Sequence, residues 1–261
     1  MSVKEKLTAI ADAIRDKTKK TELLTLDDMV TGVSDVYDSG KTKEWGDFWD
    51  SFQENGNKTN YARAFAGKGW TDDNWSPKYD IRPTGDAYGM FWTNPISDMG
   101  EILKRNDVVF DTSNVTHGQM MIFDMPNLVH LGEFDIGKMI NCSDTFAVNY
   151  KLEKIDKVIF SPTTKCDTGN SMFRANGKLT SVGFEGTLAY SLNVKDPPFD
   201  KPTIISLINI LSVDTTGLTV TLKKSAVNKA FETSSGANNG STSAEWLALV
   251  ATKQNWTISL V

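Results

Sequence analysis

Two histidines, His117 and His130, are the only imidazoles in the sequence. A Ser–His–carboxylate relay would need distant residues to converge on one of them, and no GxSxG elbow marks a nucleophile. No P-loop and no dinucleotide fingerprint occurs. Cys142 and Cys166 have no CxxC-type neighbour for a metal. They stand about one repeat apart, and burial as free thiols is the commoner fate of such a pair. Asp72-Asp73-Asn74 supplies oxygen ligands but lacks the spaced pattern and closing Glu of a calcium loop. Paired carboxylates for glycoside hydrolysis depend on a separation that sequence does not encode. The residues point away from catalysis, and no cofactor or metal is expected. Binding chemistry is better represented. Trp70, Trp75 and Trp92 would favour carbohydrate or apolar peptide if their rings face a cleft, and are gap-fillers if they do not.

The elements that must position these residues repeat. Five phrases, ARAFAGKGW, YGMFWTNPI, MIFDMPNL, DTFAVNYKL and SMFRANGKL, each carry a phenylalanine. These are Phe65, Phe91, Phe123, Phe146 and Phe173, at spacings of 26, 32, 23 and 27. After each comes an apolar–x–apolar triplet: 79–81, 108–110, 134–136, 158–160 and 182–184. Leu128, Leu131, Phe134 and Ile136 match Leu152, Ile155, Val158 and Phe160 at identical offsets, whereas counting from Leu179 sets Val182 opposite Ile155. A period of about 20–29 residues marks a leucine-rich solenoid, in which no single strand can bury its apolar pair but stacked rungs can. The expected class is therefore α/β: an irregular leucine-rich-repeat solenoid with parallel strands, helical caps and an N-terminal helical attachment segment. The outer members of each triplet point inward. The middle members, Asp80, Val109, Asp135, Ile159 and Gly183, with Thr221 and Ser259 continuing, form the outward row. Ligand contact is assigned to Trp70, Trp75, Asp80, Trp92 and Asp135.

The two ends have different patterns. Leu218–Leu222 and Thr257–Val261 alternate as strands, and Pro202–Leu211, Ser225–Phe231 and Ser243–Thr252 suit helices, with Ser225 and Ser243 as N-caps. Trp45, Phe48, Trp49 and Phe52 share one helical face, which would plug the first rung or, less commonly, form a sugar platform. Val3, Leu7, Ile10 and Ile14 make an apolar helical seam, and Thr25 opens a second short helix. Two such helices need a partner surface: a second copy, another protein, or the solenoid's own end. The expected organisation is a helical attachment or oligomerisation segment at 1–38, a linker at 39–44, and the solenoid with its caps at 45–261.

Composition sets bounds. Hydrophobic residues make up 39% and charged residues 23%, which suits a packed core. A net charge of −5 disfavours a phosphate backbone, so nucleic acid is set aside. No apolar run of spanning length occurs, and the opening MSVKEKLTAIADAIRDK has no signal-peptide core.

DTFAVNYKLEKIDKVIF and NSMFRANGKLTSVGF resemble BspA-like leucine-rich repeats, over roughly Phe65–Leu188. LTAIADAIRDKTKKTELLTLDDMVTGV and EWGDFWDSFQENGNKTNYARAFAGKGW are similar to proteins encoded by phages and prophages of gut bacteria, often near tail or baseplate genes. The resemblance implies a noncatalytic phage structural and adhesion protein. Its N-terminal helices would dock to a tail or baseplate, or self-associate, and its solenoid would meet a host-surface glycan or protein. The expected place is the virion, or the host cytoplasm before assembly. A bacterial cell-surface adhesin of the same repeat class is the alternative, and a carbohydrate-active enzyme is a more distant one.

Overall fold

The computed structural model describes residues 61–164, 171–233 and 239–261. The chain divides into two units, Met1–Gly56 and Asn57–Val261, and all the described residues belong to the second. The seam of Val3, Leu7, Ile10 and Ile14, the linker and the stripe from Trp45 to Phe52 lie outside them.

The fold is mixed α/β, with short parallel strands in small open sheets and a few short helices. In order these are β1 (Thr84–Asp86), α1 (Met99–Arg105), β2 (Asn114–His117), β3 (His130–Asp135), β4 (Lys154–Phe160), β5 (Ser181–Gly186), β6 (Leu192–Val194), α2 (Lys201–Asn209), β7 (Leu218–Leu222), α3 (Lys224–Ala230), α4 (Ala244–Ala251) and β8 (Trp256–Leu260). The sheets are β1-β2, β3-β4-β5 and β6-β7-β8.

The phenylalanine phrases form tight turns that are hydrogen-bonded to one another through the main chain. The N–H of Phe65 donates to Met90 O, that of Phe91 to Met121 O, that of Ile122 to Thr145 O, and that of Phe146 to Met172 O. Two residues before these donors, Arg63, Gly89, Met120 and Asp144 have φ between 53° and 58°. Two residues after them, Gly67, Thr93, Asp124 and Val148 are again left-handed, as is Ala175 two after Phe173. A left-handed residue at each shoulder turns the chain so that alternate N–H groups point at the next turn. For non-glycine residues this conformation costs on the order of 1 kcal/mol each. The main-chain bonds and the core behind them offset that cost.

The register corrects one repeat position. Ile122, not Phe123, occupies the slot of Phe65, Phe91, Phe146 and Phe173, so the spacings become 26, 31, 24 and 27. Phe123 is displaced toward the surface, where it packs edge-on against Trp92 with centroids 5.8 Å apart. The rings that do face inward form a continuous column: Phe65–Phe91 at 4.8 Å, Phe91–Phe110 at 5.7 Å, Phe110–Phe134 at 5.2 Å, Phe134–Phe146 at 5.2 Å and Phe146–Phe173 at 5.5 Å.

In the central sheet Leu131, Ile155 and Val182 stand level, as do Phe134, Val158 and Phe184. A register shift in β4 between Ile155 and Val158 absorbs the extra residue relative to β5. Val182 therefore does not share the column of Phe134 and Val158; Phe184 does. Glu185, not Gly183, stands beside Ile159 and continues the row begun by Asp135. The triplets at 79–81 and 108–110 are not strands. They meet through a single bridge, Ile81 to Phe110.

Helices take the places on either side of the central sheet. Val129 and His130 donate to Ser97 O, Glu153 and Lys154 to Val129 O, Thr180 and Ser181 to Glu153 O, and Asp200 to Thr180 O. Thus α1, β3, β4, β5 and α2 start side by side. Asp98 caps α1 by accepting from Glu101 N, Lys104 and Arg105 sit in its last turn, and Met99, Ile102 and Leu103 face the core. Asp200 caps α2 in the same way through Thr203 N. Hydroxyls of α2 then meet the outer edge of β5: Thr203 Oγ1 accepts from Val182 N at 3.0 Å. Both edges of the sheet are covered, which removes a template for edge-to-edge association.

Cys142 is buried and disulfide-bonded rather than a free thiol, which corrects the expectation for it. Cys166 lies outside the described residues. Among the described residues no helix is long and apolar enough to cross a membrane.

Candidate functional site

The buried polar side chains include threonines, serines and Lys253, and the buried amides among them recur with the turns. Asn94, Asn149 and Asn176 are fully buried. Asn149 Nδ2 donates to Ile122 O and Phe146 O, and its Oδ1 accepts from Met125 N. Asn176 donates to the same Phe146 O and accepts from Asn149 N. These amides tie each turn to the next.

Charge is arranged on the surface, where one basic side chain repeatedly lies between two carboxylates from neighbouring turns. Arg82 bridges Asp80 and Asp111, each at 2.9 Å. Lys157 of β4 lies between Glu133 of β3 at 3.4 Å and Glu185 of β5 at 3.3 Å. His130 of β3 has Nδ1 2.8 Å from Asp98 Oδ1 and Nε2 3.1 Å from Asp156 Oδ2. The second contact is a close approach without the geometry of a directed hydrogen bond. Lys154 reaches Asp156 Oδ1 at 2.6 Å. Gly100 leaves room for the imidazole: a Cβ there would stand 2.7 Å from His130 Cε1. Two of these ladders run across the exposed face of β3-β4-β5, perpendicular to the strands.

The carboxyl groups respond to these neighbours. Burial works against ionisation of Asp156, but Lys154 and His130 together hold its pKa below the ordinary value. The Val109 N–H, then Arg82, hold Asp80 down. The Ser113 hydroxyl and N–H, then Arg82, do the same for Asp111. A carboxyl with a depressed folded pKa contributes stability above its unfolded value of about 3.9, which is lost as pH falls through the folded value. Stability is therefore expected to decline as pH falls from about 4. Denaturant melts of Asp156→Asn across this range should show a shallower decline, by at most about 1 kcal/mol because the carboxylate is partly solvated. A variant with an unchanged acid slope would remove Asp156 from the account.

The residues assigned to ligand contact have different fates. Trp70 and Trp75 are 0% and 1% exposed, with ring centroids 6.3 Å apart, and Trp70 lies 5.4 Å from Phe65. Neither can offer a ring face to a ligand, and the expectation for both is corrected. They pack against the aromatic column at Phe65 and Phe91. Trp92 is half-buried, with the Arg63 guanidinium 4.9 Å above its ring. Asp80 is exposed but held by Arg82 and by Val109 N. Asp135 Oδ1 accepts from Gly137 N in a local turn. Asp72 is likewise engaged, accepting from Ser97 N and from the Ser97 hydroxyl. Asp98, Glu133, Asp156, Lys157 and Glu185, absent from that assignment, make up much of the exposed face with His130. Among the described residues no group of three or more His, Cys, Asp or Glu is placed to hold a metal ion.

Compared with protein-family models, with curated proteins and with solved structures, the chain matches none.

Proposed function

We propose that residues 57–261 form an irregular leucine-rich-repeat solenoid that serves recognition rather than chemistry. In this reading the chain is a phage structural and adhesion protein. The N-terminal helices attach it to a tail or baseplate, or to copies of itself, and the face of β3-β4-β5 meets a host-surface glycan or protein. The resemblance of its repeats and opening segment to phage-encoded proteins supports the biological setting. The observation that carries the recognition reading is the pair of charge ladders, Asp98–His130–Asp156 and Glu133–Lys157–Glu185. Side chains fixed by two partners each present hydrogen-bonding groups at set positions, which lowers the ordering cost of binding.

The test is retention of labelled protein on a panel of gut-bacterial cells and on their purified surface polysaccharides. Lys157→Gln removes the charge at the centre of one ladder without setting a third carboxylate between Glu133 and Glu185. It should lower retention by about tenfold or more with little change in melting temperature. Retention indifferent to this change would remove the sheet face from the proposal. Release of product from a polysaccharide, abolished by one carboxylate substitution, would replace adhesion by catalysis.

A further inference from the structure

The third sheet has an open side. Val220 of β7 stands beside Ile258 of β8, and Leu222 beside Leu260. Level residues of neighbouring strands face the same way, so all four point toward the core. Val220 and Leu222 are 0% and 1% exposed, whereas Ile258 and Leu260 are only half-buried. β8 covers the first pair, and among the described residues no strand lies beyond β8. The helix that leads into β8 has the same pattern. Trp246 of α4 is buried, Leu249 and Val250 are half-buried, and Leu247 is 52% exposed. Stacked repeats end on a polar outer face when that face meets water, and this one is apolar.

The main chain is open on the same side. Val261 N donates to Leu222 O, and Val261 O accepts from Lys224 N. Val261 therefore faces β7, and by the alternation of a strand Ser259 and Thr257 do so too. The N–H and C=O groups of Ile258 and Leu260 point the other way, where among the described residues they meet no partner. The edges of the central sheet are covered by α1 and α2, but β8 has no lysine, proline or bulge to blunt its edge. Charge does not oppose a second copy here. The chain carries −5 overall, yet Trp256–Leu260 has no charged side chain. Nearby, Lys253 Nζ is spent on Asn209 O and Leu211 O, and Glu245 is paired with Lys201.

We infer that β8 pairs antiparallel with β8 of a second copy of this chain, about a two-fold axis at Ser259. The strand reads alike in both directions from that residue, with one apolar neighbour on each side. Ile258 of each copy would exchange both main-chain bonds with Leu260 of the other, which is the hydrogen-bonded pair of an antiparallel ladder. The half-buried side chains of the two strands would then close one shared core. The inference goes beyond the adhesion reading, and it uses neither the N-terminal helices nor the β3-β4-β5 face.

Ser259→Cys in the full chain tests it. Residues opposed at a non-hydrogen-bonded antiparallel position have Cα atoms about 4.5 Å apart, within reach of a disulfide. Mild oxidation should therefore convert most of this variant to a covalent dimer. The unaltered chain should stay unlinked, its Cys142 being already disulfide-bonded. Thr257→Cys should stay unlinked as well, because two-fold copies of that residue would stand more than about 10 Å apart. Ser259→Lys sets two ammonium groups against each other at the axis. Light scattering over about 1–100 μM should show its association weakened by about tenfold or more, with an unchanged far-UV circular dichroism spectrum as proof of folding. Failure of Ser259→Cys to link, or equal linking by Thr257→Cys, overturns the inference. So does a mass that Ser259→Lys leaves unchanged, which would assign any association to the N-terminal helices.

Discussion

Asn149→Asp is expected to destabilise the protein by about 3–5 kcal/mol, because it removes donors from a fully buried group and replaces them with charge. The asparagine gives one hydrogen to Ile122 O at 2.9 Å and the other to Phe146 O at 2.8 Å. An aspartate of the same shape turns an acceptor toward those carbonyls. Protonation would restore one donor at most. For a domain of this size such a loss corresponds to a fall in melting temperature of about 10 °C. Asn127→Asp is the control. Asn127 is half-buried, its Oδ1 accepts from Lys151 Nζ at 2.8 Å, and its Nδ2 makes only a long bond to Pro95 O at 3.4 Å, so a carboxylate there keeps the stronger partner and gives up the weaker. That change should stay within about 1 kcal/mol. Comparable costs for the two variants would show that the buried amide does not tie the turns together.

The asparagine ladder also shows where sequence reasoning stopped short. Asn94, Asn149 and Asn176 each stand three residues after a repeat phenylalanine. Those phenylalanines are legible from their spacing because apolar residues recur wherever a core must be filled. The asparagines follow the same period for a different reason, since each turn leaves main-chain groups that strands would otherwise satisfy. The helix α1 was equally accessible. Asp98 followed by Glu101, with Met99, Ile102 and Leu103 on one face, is a capping signal before an apolar stripe. The apolar–x–apolar spacing of Val108–Phe110 imitates a strand, whereas α1 takes the strand's place in that turn.

Other features depend on contacts that spacing cannot express. The acid–base–acid ladders join residues 24 to 32 positions apart, and nothing local distinguishes Lys157 from any exposed lysine. The tryptophans illustrate the converse. Trp70 and Trp75 carry ligand-binding chemistry by type, but their rings lie against Phe65 and Phe91 and are spent on the core. Trp92 stands one residue after a repeat position and so points to the surface.

Register makes the final expectation quantitative. Phe146 is fully buried between Phe134 and Phe173, so Phe146→Ala should cost about 4 kcal/mol, combining lost transfer energy with an unfilled cavity. Ile122 occupies the equivalent slot one turn earlier and is also fully buried, so Ile122→Ala should cost about 3 kcal/mol. Phe123 is the larger side chain, and spacing alone makes it the repeat residue. It is nevertheless half-buried and rests edge-on against Trp92, so Phe123→Ala should cost only about 1–2 kcal/mol. The order Phe146, Ile122, Phe123, read from equilibrium denaturation of the single variants, is what the main-chain ladder requires. A phenylalanine-to-alanine cost at 123 equal to that at 146, with Ile122→Ala nearly neutral, would mean that the third turn is shifted by one residue. The hydrogen bond from Ile122 N to Thr145 O would then belong to its neighbour.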